Sequence, residues 1–161
     1  MKRNYPILYF CGTFYVLAIF ILPGCGSTIH NNKAPVEKTM NLFKPGTQPK
    51  LISRQFSFTE GPAADSRGDV FFTDQPNNEI WKYSVDGKLS LFTNHSARSN
   101  GLYVDRDGNI IGCADEKGQL VSFTPEGKMK VLMDLPNGTR LNGPNDLWID
   151  ANGGIYFTDP Y

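Results

Sequence analysis

Asp150-Ala151-Asn152-Gly153-Gly154-Ile155-Tyr156-Phe157 reads as a tight turn feeding straight into an aromatic strand. The same arrangement occurs twice upstream. Asp65-Ser66-Arg67-Gly68 opens onto Asp69-Val70-Phe71-Phe72, and Asp105-Arg106-Asp107-Gly108 opens onto Asn109-Ile110-Ile111. The turn aspartates stand 40 and then 45 residues apart. Between them lie more short apolar runs, such as Ile80-Trp81-Lys82-Tyr83, Leu89-Ser90-Leu91-Phe92, Leu120-Val121-Ser122-Phe123 and Met129-Lys130-Val131-Leu132. A repeat of about 40–45 residues holding four short strands is the period of a β-propeller blade. Helical solenoids share the period but not the strand pattern. A β-sandwich needs no identical turn at a fixed interval.

The prediction is therefore all-β: a partial propeller over 51–161 with about two and a half blades. Blade one runs over about 58–94 and blade two over about 100–134. Blade three begins near 142, with its first two strands only. Leu51 to Phe56 is expected as an outer strand of a closing blade. Phe71, Phe72, Trp81, Trp148, Tyr156 and Phe157 are expected as core between blades.

The flanking sequence has a different character. Lys2 and Arg3 precede an uncharged stretch from Tyr5 to Leu22, which ends at Leu22-Pro23-Gly24-Cys25. A basic start, an apolar core and a small residue before a cut describe an export signal over 1–25. Its ending resembles the lipobox of bacterial lipoproteins, which implies lipidation of Cys25. The alternative is an uncleaved membrane anchor, since the apolar stretch is just long enough to span a bilayer. Either reading predicts an exported, membrane-tethered domain. Residues 26–50 are polar, proline-dotted and aperiodic, as in a flexible tether.

Composition narrows the partners. Sixteen basic and sixteen acidic residues cancel, so nothing favours nucleic acid. Of the three cysteines, Cys11 and Cys25 fall in the leader, and Cys113 stands alone in an apolar run. It reads as a buried small hydrophobe, and the exported domain has no internal disulfide.

Five residues before each turn aspartate stands an oxygen donor: Glu60, Asn100 and Asn145. Each sits where the chain enters an innermost strand, and innermost strands line a propeller's channel. One carboxylate and two amide carbonyls at one channel mouth suit Ca²⁺ or another hard divalent cation. They do not suit zinc or copper, which favour nitrogen and sulfur. Asn residues at such positions also serve as plain turn formers. Asp65, Asp105 and Asp150 are expected to form turns, and Asp74 and Asp159 to accept backbone bonds at strand exits.

Phe58-Thr59-Glu60-Gly61-Pro62, Asn100-Gly101-Leu102, Arg140-Leu141-Asn142-Gly143-Pro144-Asn145-Asp146-Leu147 and Tyr156-Phe157-Thr158-Asp159-Pro160 resemble the gluconolactonase family, which includes regucalcin (senescence marker protein). The resemblance implies a six-bladed propeller with a divalent cation, usually Ca²⁺, at the channel mouth. It implies that Glu60, Asn100 and Asn145 face the cation, that Asn100 and Arg98 contact substrate, and that the substrate is a small lactone or related ester. It also implies a general-base aspartate from a later blade, expected beyond Tyr161. The function expected is metal-dependent ester hydrolysis. The alternative is a non-catalytic binding module or an inactive truncated product. Unpaired blade edges are expected to favour self-association.

Overall fold

A computed structural model describes residues 44–134 and 136–160. The leader over 1–25, with Cys25, and most of the tether over 26–50 lie outside the described residues. The compact unit containing the sheets begins at Ser53.

The strands are short because Asp-Gly-type turns interrupt every apolar run. β1 (Thr59–Ala64), β2 (Val70–Asp74), β3 (Glu79–Tyr83) and β4 (Leu89–Thr93) form one antiparallel sheet in sequential order. β5 (Ser99–Val104), β6 (Ile110–Ala114), β7 (Gln119–Phe123) and β8 (Met129–Met133) form a second with the same order. β9 (Leu147–Ile149) and β10 (Ile155–Phe157) pair as a third sheet. These are two full propeller blades and the inner half of another, as the repeat predicted.

Each repeated turn is built the same way. Asp65 Oδ1 accepts the backbone N–H of Arg67 and Asp69. Asp105 Oδ1 accepts those of Asp107 and Asn109, and Asp150 Oδ1 those of Asn152 and Gly154. The carboxylate thus closes an Asx turn that aims the next strand. These bonds and the Arg67 guanidinium hold the Asp65 carboxyl below its usual range, and backbone donors do the same for Asp150. Asp105→Ala removes both backbone contacts and a third, from Asn109 Nδ2 to Oδ2 at 2.9 Å. It is expected to cost about 1–2 kcal/mol in urea unfolding, whereas Asp105→Asn retains Oδ1 and should cost less.

Side-chain alternation along the strands explains how the sheets stack. Leu102, Ile110, Val121 and Phe123 point from the second sheet toward the first, where they bury Phe71 and Ile80. Ile111, Cys113 and Leu120 point the other way and bury Leu147 and Ile155 of the third sheet. The second sheet is covered on both faces, so all of β6 and β7 is buried. Burial drives the Cys113 thiol far above its usual value, which keeps it neutral and inert, as expected of a small hydrophobe.

Three expectations need correction. Leu51 to Phe56 is not a strand. Instead the Phe56 ring meets Phe72 and Trp81 edge-on, at 5.1 and 5.4 Å between centroids. Trp148 and Tyr156 are not core. They are 57% and 38% exposed and lean on each other on the third sheet's outward face. Their repeat equivalents, Tyr103 and Ile111, are covered because another sheet follows theirs. Finally, Glu60 and Asn100 do not precede their inner strands. They lie inside β1 and β5, which begin earlier than the apolar pattern indicates.

Candidate functional site

Both inner strands carry a bulge at the positions of interest. On β1, Glu60 pairs with Thr73 but Ala63 pairs with Phe71, so the strand gains one residue there. On β5, Ser99 pairs with Ala114 and Leu102 with Gly112, which inserts a residue at Asn100-Gly101. A bulge bends the strand and re-aims the side chain it carries. Asn145 sits two residues ahead of β9.

Backbone contacts strap the three segments together. Gly61, at φ 58°, lies directly on the Asn100 carbonyl oxygen, which a Cβ would strike. A Cβ on Gly101 would stand 2.7 Å from the Asn145 carbonyl and 2.8 Å from Asp146 Cα. The Gly101 N–H donates to that Asn145 carbonyl at 2.7 Å. The buried Thr73 hydroxyl lies 3.0 Å from the Glu60 carbonyl and 3.2 Å from the Asn100 carbonyl and donates to them. The backbone segments that carry Glu60, Asn100 and Asn145 therefore touch in succession across the three sheets.

The side chains differ in exposure. Asn100 is buried at 9% exposure, Glu60 is half-buried and Asn145 is exposed. The Asn100 Nδ2 donates to the Pro144 carbonyl at 3.2 Å. That bond uses the donor end of the amide, and Oδ1 is its acceptor end. The Glu60 carboxyl is pushed above its usual 4.5 by burial first, then by the carboxylates of Asp146 and Asp115. An ionised Glu60 is thus held in negative field with no ion pair among the described residues. A cation at this mouth would relieve both the desolvation and the repulsion.

The donor set fits a hard cation in its chemistry, since it is all oxygen and two of the three expected donors are amides. Among the described residues, no group of three His, Cys, Asp or Glu is arranged to hold a metal ion. Any cation here would rest on Glu60 with the asparagine carbonyls. Arg98 is elsewhere on the rim. It is exposed, left-handed at φ 52°, and its Nη2 donates to Gln75 Oε1 at 3.4 Å.

The sequence reading missed Asp115 and Asp146. Asp146 was legible, since it follows Asn145 directly in the Pro-Asn-Asp motif. Asp115 was hidden because the repeat's strand-exit aspartate falls one residue earlier. Asp74 occupies that exit position in the first sheet and accepts the N–H groups of Ser57 and Phe58. Asp159 occupies it in the third and accepts those of Asn142 and Gly143, as expected for both. In the second sheet the position is Ala114.

The sequence matches known proteins over the same region. The gluconolactonase of Zymomonas mobilis is 30% identical over 150 residues, which are 84% of this chain and 42% of that protein. Lactonase drp35 of Staphylococcus aureus is 27% identical over 80% of this chain and 42% of its own length. The solved gluconolactonase from Xanthomonas campestris superposes with a TM-score of 0.64 at 27% identity, covering 68% of this chain and 37% of that one. The chain thus spans about two-fifths of the length of the curated relatives it matches. The pattern of the SMP-30/gluconolactonase/LRE-like region matches residues 27–139 and 58–161. By this match, together with the blade repeat and the bulged inner strands, the chain belongs to the SMP-30/gluconolactonase/LRE-like family.

Proposed function

We propose that the chain contributes the cation-binding mouth of a divalent-metal-dependent lactone hydrolase, with Ca²⁺ the first candidate. The observation that supports the reading is the close backbone approach, at Gly61 and Gly101, of the segments that carry Glu60, Asn100 and Asn145. The lactonases among the relatives support the substrate class, a small lactone or related ester. A bound cation would supply Lewis-acid polarisation of the ester carbonyl. Glu60 would provide the formal charge of the cup, with Asn100 Oδ1 and Asn145 Oδ1 as neutral ligands. Asn100 and Arg98 would orient the substrate against it. The general base would be a carboxylate of another blade. We also propose export and membrane attachment through Cys25. Loss of lipid-precursor labelling in Cys25→Ser would support that attachment, and retained labelling would refute it.

The first test uses the sign of the Glu60 shift. A carboxyl whose folded pKa lies above its unfolded value binds more protons when folded. Its contribution to stability therefore falls as pH rises through the window between the unfolded and folded values. At neutral pH the ionised Glu60 costs stability. In chelator, Glu60→Gln should then melt about a degree or two above the parent at pH 7. The advantage should vanish near pH 4, where both are neutral. A variant that melts lower than the parent in chelator at pH 7 would contradict the electrostatic picture of the mouth.

A further inference from the structure

We propose that Asn137 is a site of spontaneous covalent modification: it deamidates to aspartate and isoaspartate through a succinimide formed with Gly138.

The chemistry needs an asparagine whose side-chain amide carbon can be reached by the backbone nitrogen of the next residue. The Gly138 nitrogen gives up its proton and bonds to Asn137 Cγ, the Cγ–Nδ2 bond breaks, and ammonia leaves with that proton. A water molecule then opens the cyclic imide at either carbonyl. The product is aspartate or, where the chain now runs through the side chain, isoaspartate. Glycine in second place favours the step, because no Cβ stands in the path of attack and its backbone turns freely.

Asn-Gly pairs occur at Asn100, Asn137, Asn142 and Asn152. At all but Asn137 the fold occupies the nitrogen that must attack. The Gly101 N–H donates to the Asn145 carbonyl at 2.7 Å, and Asn100 is buried. The Gly143 N–H donates to Asp159 Oδ1 at 2.9 Å, and Asp159 Oδ2 accepts both the N–H and the side-chain amide of Asn142. The Gly153 N–H donates to the Asp150 carbonyl at 3.1 Å, inside a turn whose Asn152 and Gly154 N–H groups are held by Asp150 Oδ1. The bond that joins Gly101 to Asn145 thus also keeps Asn100 an amide.

Asn137 differs. It lies between β8 and β9 in the single 3₁₀ turn Pro136–Gly138, left-handed at φ 55° and ψ 28°. Asparagine is one of the few side chains that tolerates that conformation. Asn137, Gly138 and Thr139 are exposed, and a Cβ on Gly138 would meet nothing within 4 Å. Among the described residues, the Asn137 amide has no hydrogen-bond partner, and the Gly138 N–H donates to none outside its own turn. A single turn with so few contacts opens at little cost, so the nitrogen and Cγ can meet without disturbing any sheet. The product carries a new negative charge and, as isoaspartate, an extra backbone carbon ahead of the segment that carries Asn145.

The test is peptide mapping of the full chain, kept folded in mild detergent and mildly alkaline buffer and sampled over days. Tryptic cleavage after Lys130 and Arg140 puts Asn137 in peptide 131–140, apart from Asn100 in 99–106 and from Asn142 and Asn152 in the peptide that begins at Leu141. Mass spectrometry against an unincubated sample reads the amide-to-acid change at each asparagine, and chromatography separates the isoaspartyl form. Asn137 is expected to convert roughly tenfold faster or more than Asn100 and Asn142, since each of those must first break its bond. It should also convert faster than Asn152. In urea, where turns and sheets are gone, the rates at all these asparagines should draw together. Conversion at Asn137 no faster than at the others in the folded chain overturns the proposal. So does a lead for Asn137 that persists undiminished in urea, because sequence rather than fold would then set it.

Discussion

Gly61→Ala is expected to destabilise the chain by roughly 3–4 kcal/mol, among the largest effects of any single methyl group in it. Two causes add. Gly61 is left-handed at φ 58°, which a Cβ disfavours by about 1–2 kcal/mol. The new methyl also strikes the Asn100 carbonyl oxygen and approaches Gly101 Cα at 2.9 Å. Backbone cannot rotate aside as a side chain can, so the two sheets must separate at the mouth. Gly138→Ala is the control. Gly138 has φ 77°, yet a Cβ there meets nothing within 4 Å. It carries the conformational cost alone and should lose only about 1–2 kcal/mol. Urea unfolding of both variants measures the difference. Equal losses would mean that Gly61 does not pack on the second sheet as described.

The second large effect is expected at Asp74. This carboxylate is 1% exposed and accepts the Ser57 and Phe58 N–H groups and the Asn77 amide. Asp74→Ala leaves the Ser57 and Phe58 N–H groups without their acceptor beside a buried strand end and takes one of two acceptors from the Asn77 amide. A loss of about 3 kcal/mol follows from the cost of unmade bonds to a charged group. Asp159 makes the equivalent contacts in the third sheet, but they are half-open to water. Solvent replaces the lost acceptor there, so Asp159→Ala should cost about 1 kcal/mol or less. A reversed order would show that burial does not set the difference.

These cases also show what the sequence could and could not reveal. The turn aspartates Asp65, Asp105 and Asp150 were legible because an Asx turn is local: the carboxylate bonds amides two and four residues on. The strand-exit roles of Asp74 and Asp159 were legible from the Phe-Thr-Asp repeat, although the N–H groups they accept lie 16 and 17 residues earlier. The bulges at Glu60 and Asn100 were not, because a bulge is a relation between two strands and leaves no mark on one. Offset counting still reached equivalent positions on β1 and β5, since one inserted residue in each keeps the repeat in step. Asp115 was hidden because the exit position of its sheet is Ala114, and the lead-in N–H of Arg98 is accepted by Asn78 Oδ1 instead. Trp148 and Tyr156 were misjudged because apolar character tells which face a strand presents, not whether another sheet covers it.

The oxygen cup is tested most directly by calorimetric calcium titration of the full chain alongside Glu60→Gln and Asn145→Ala. The chain should bind one Ca²⁺ with heat and saturation, Glu60→Gln should lose that binding by tenfold or more, and Asn145→Ala should weaken it less. Binding that is unchanged in Glu60→Gln, or no binding by the parent chain, would contradict the assignment of this mouth as a cation site.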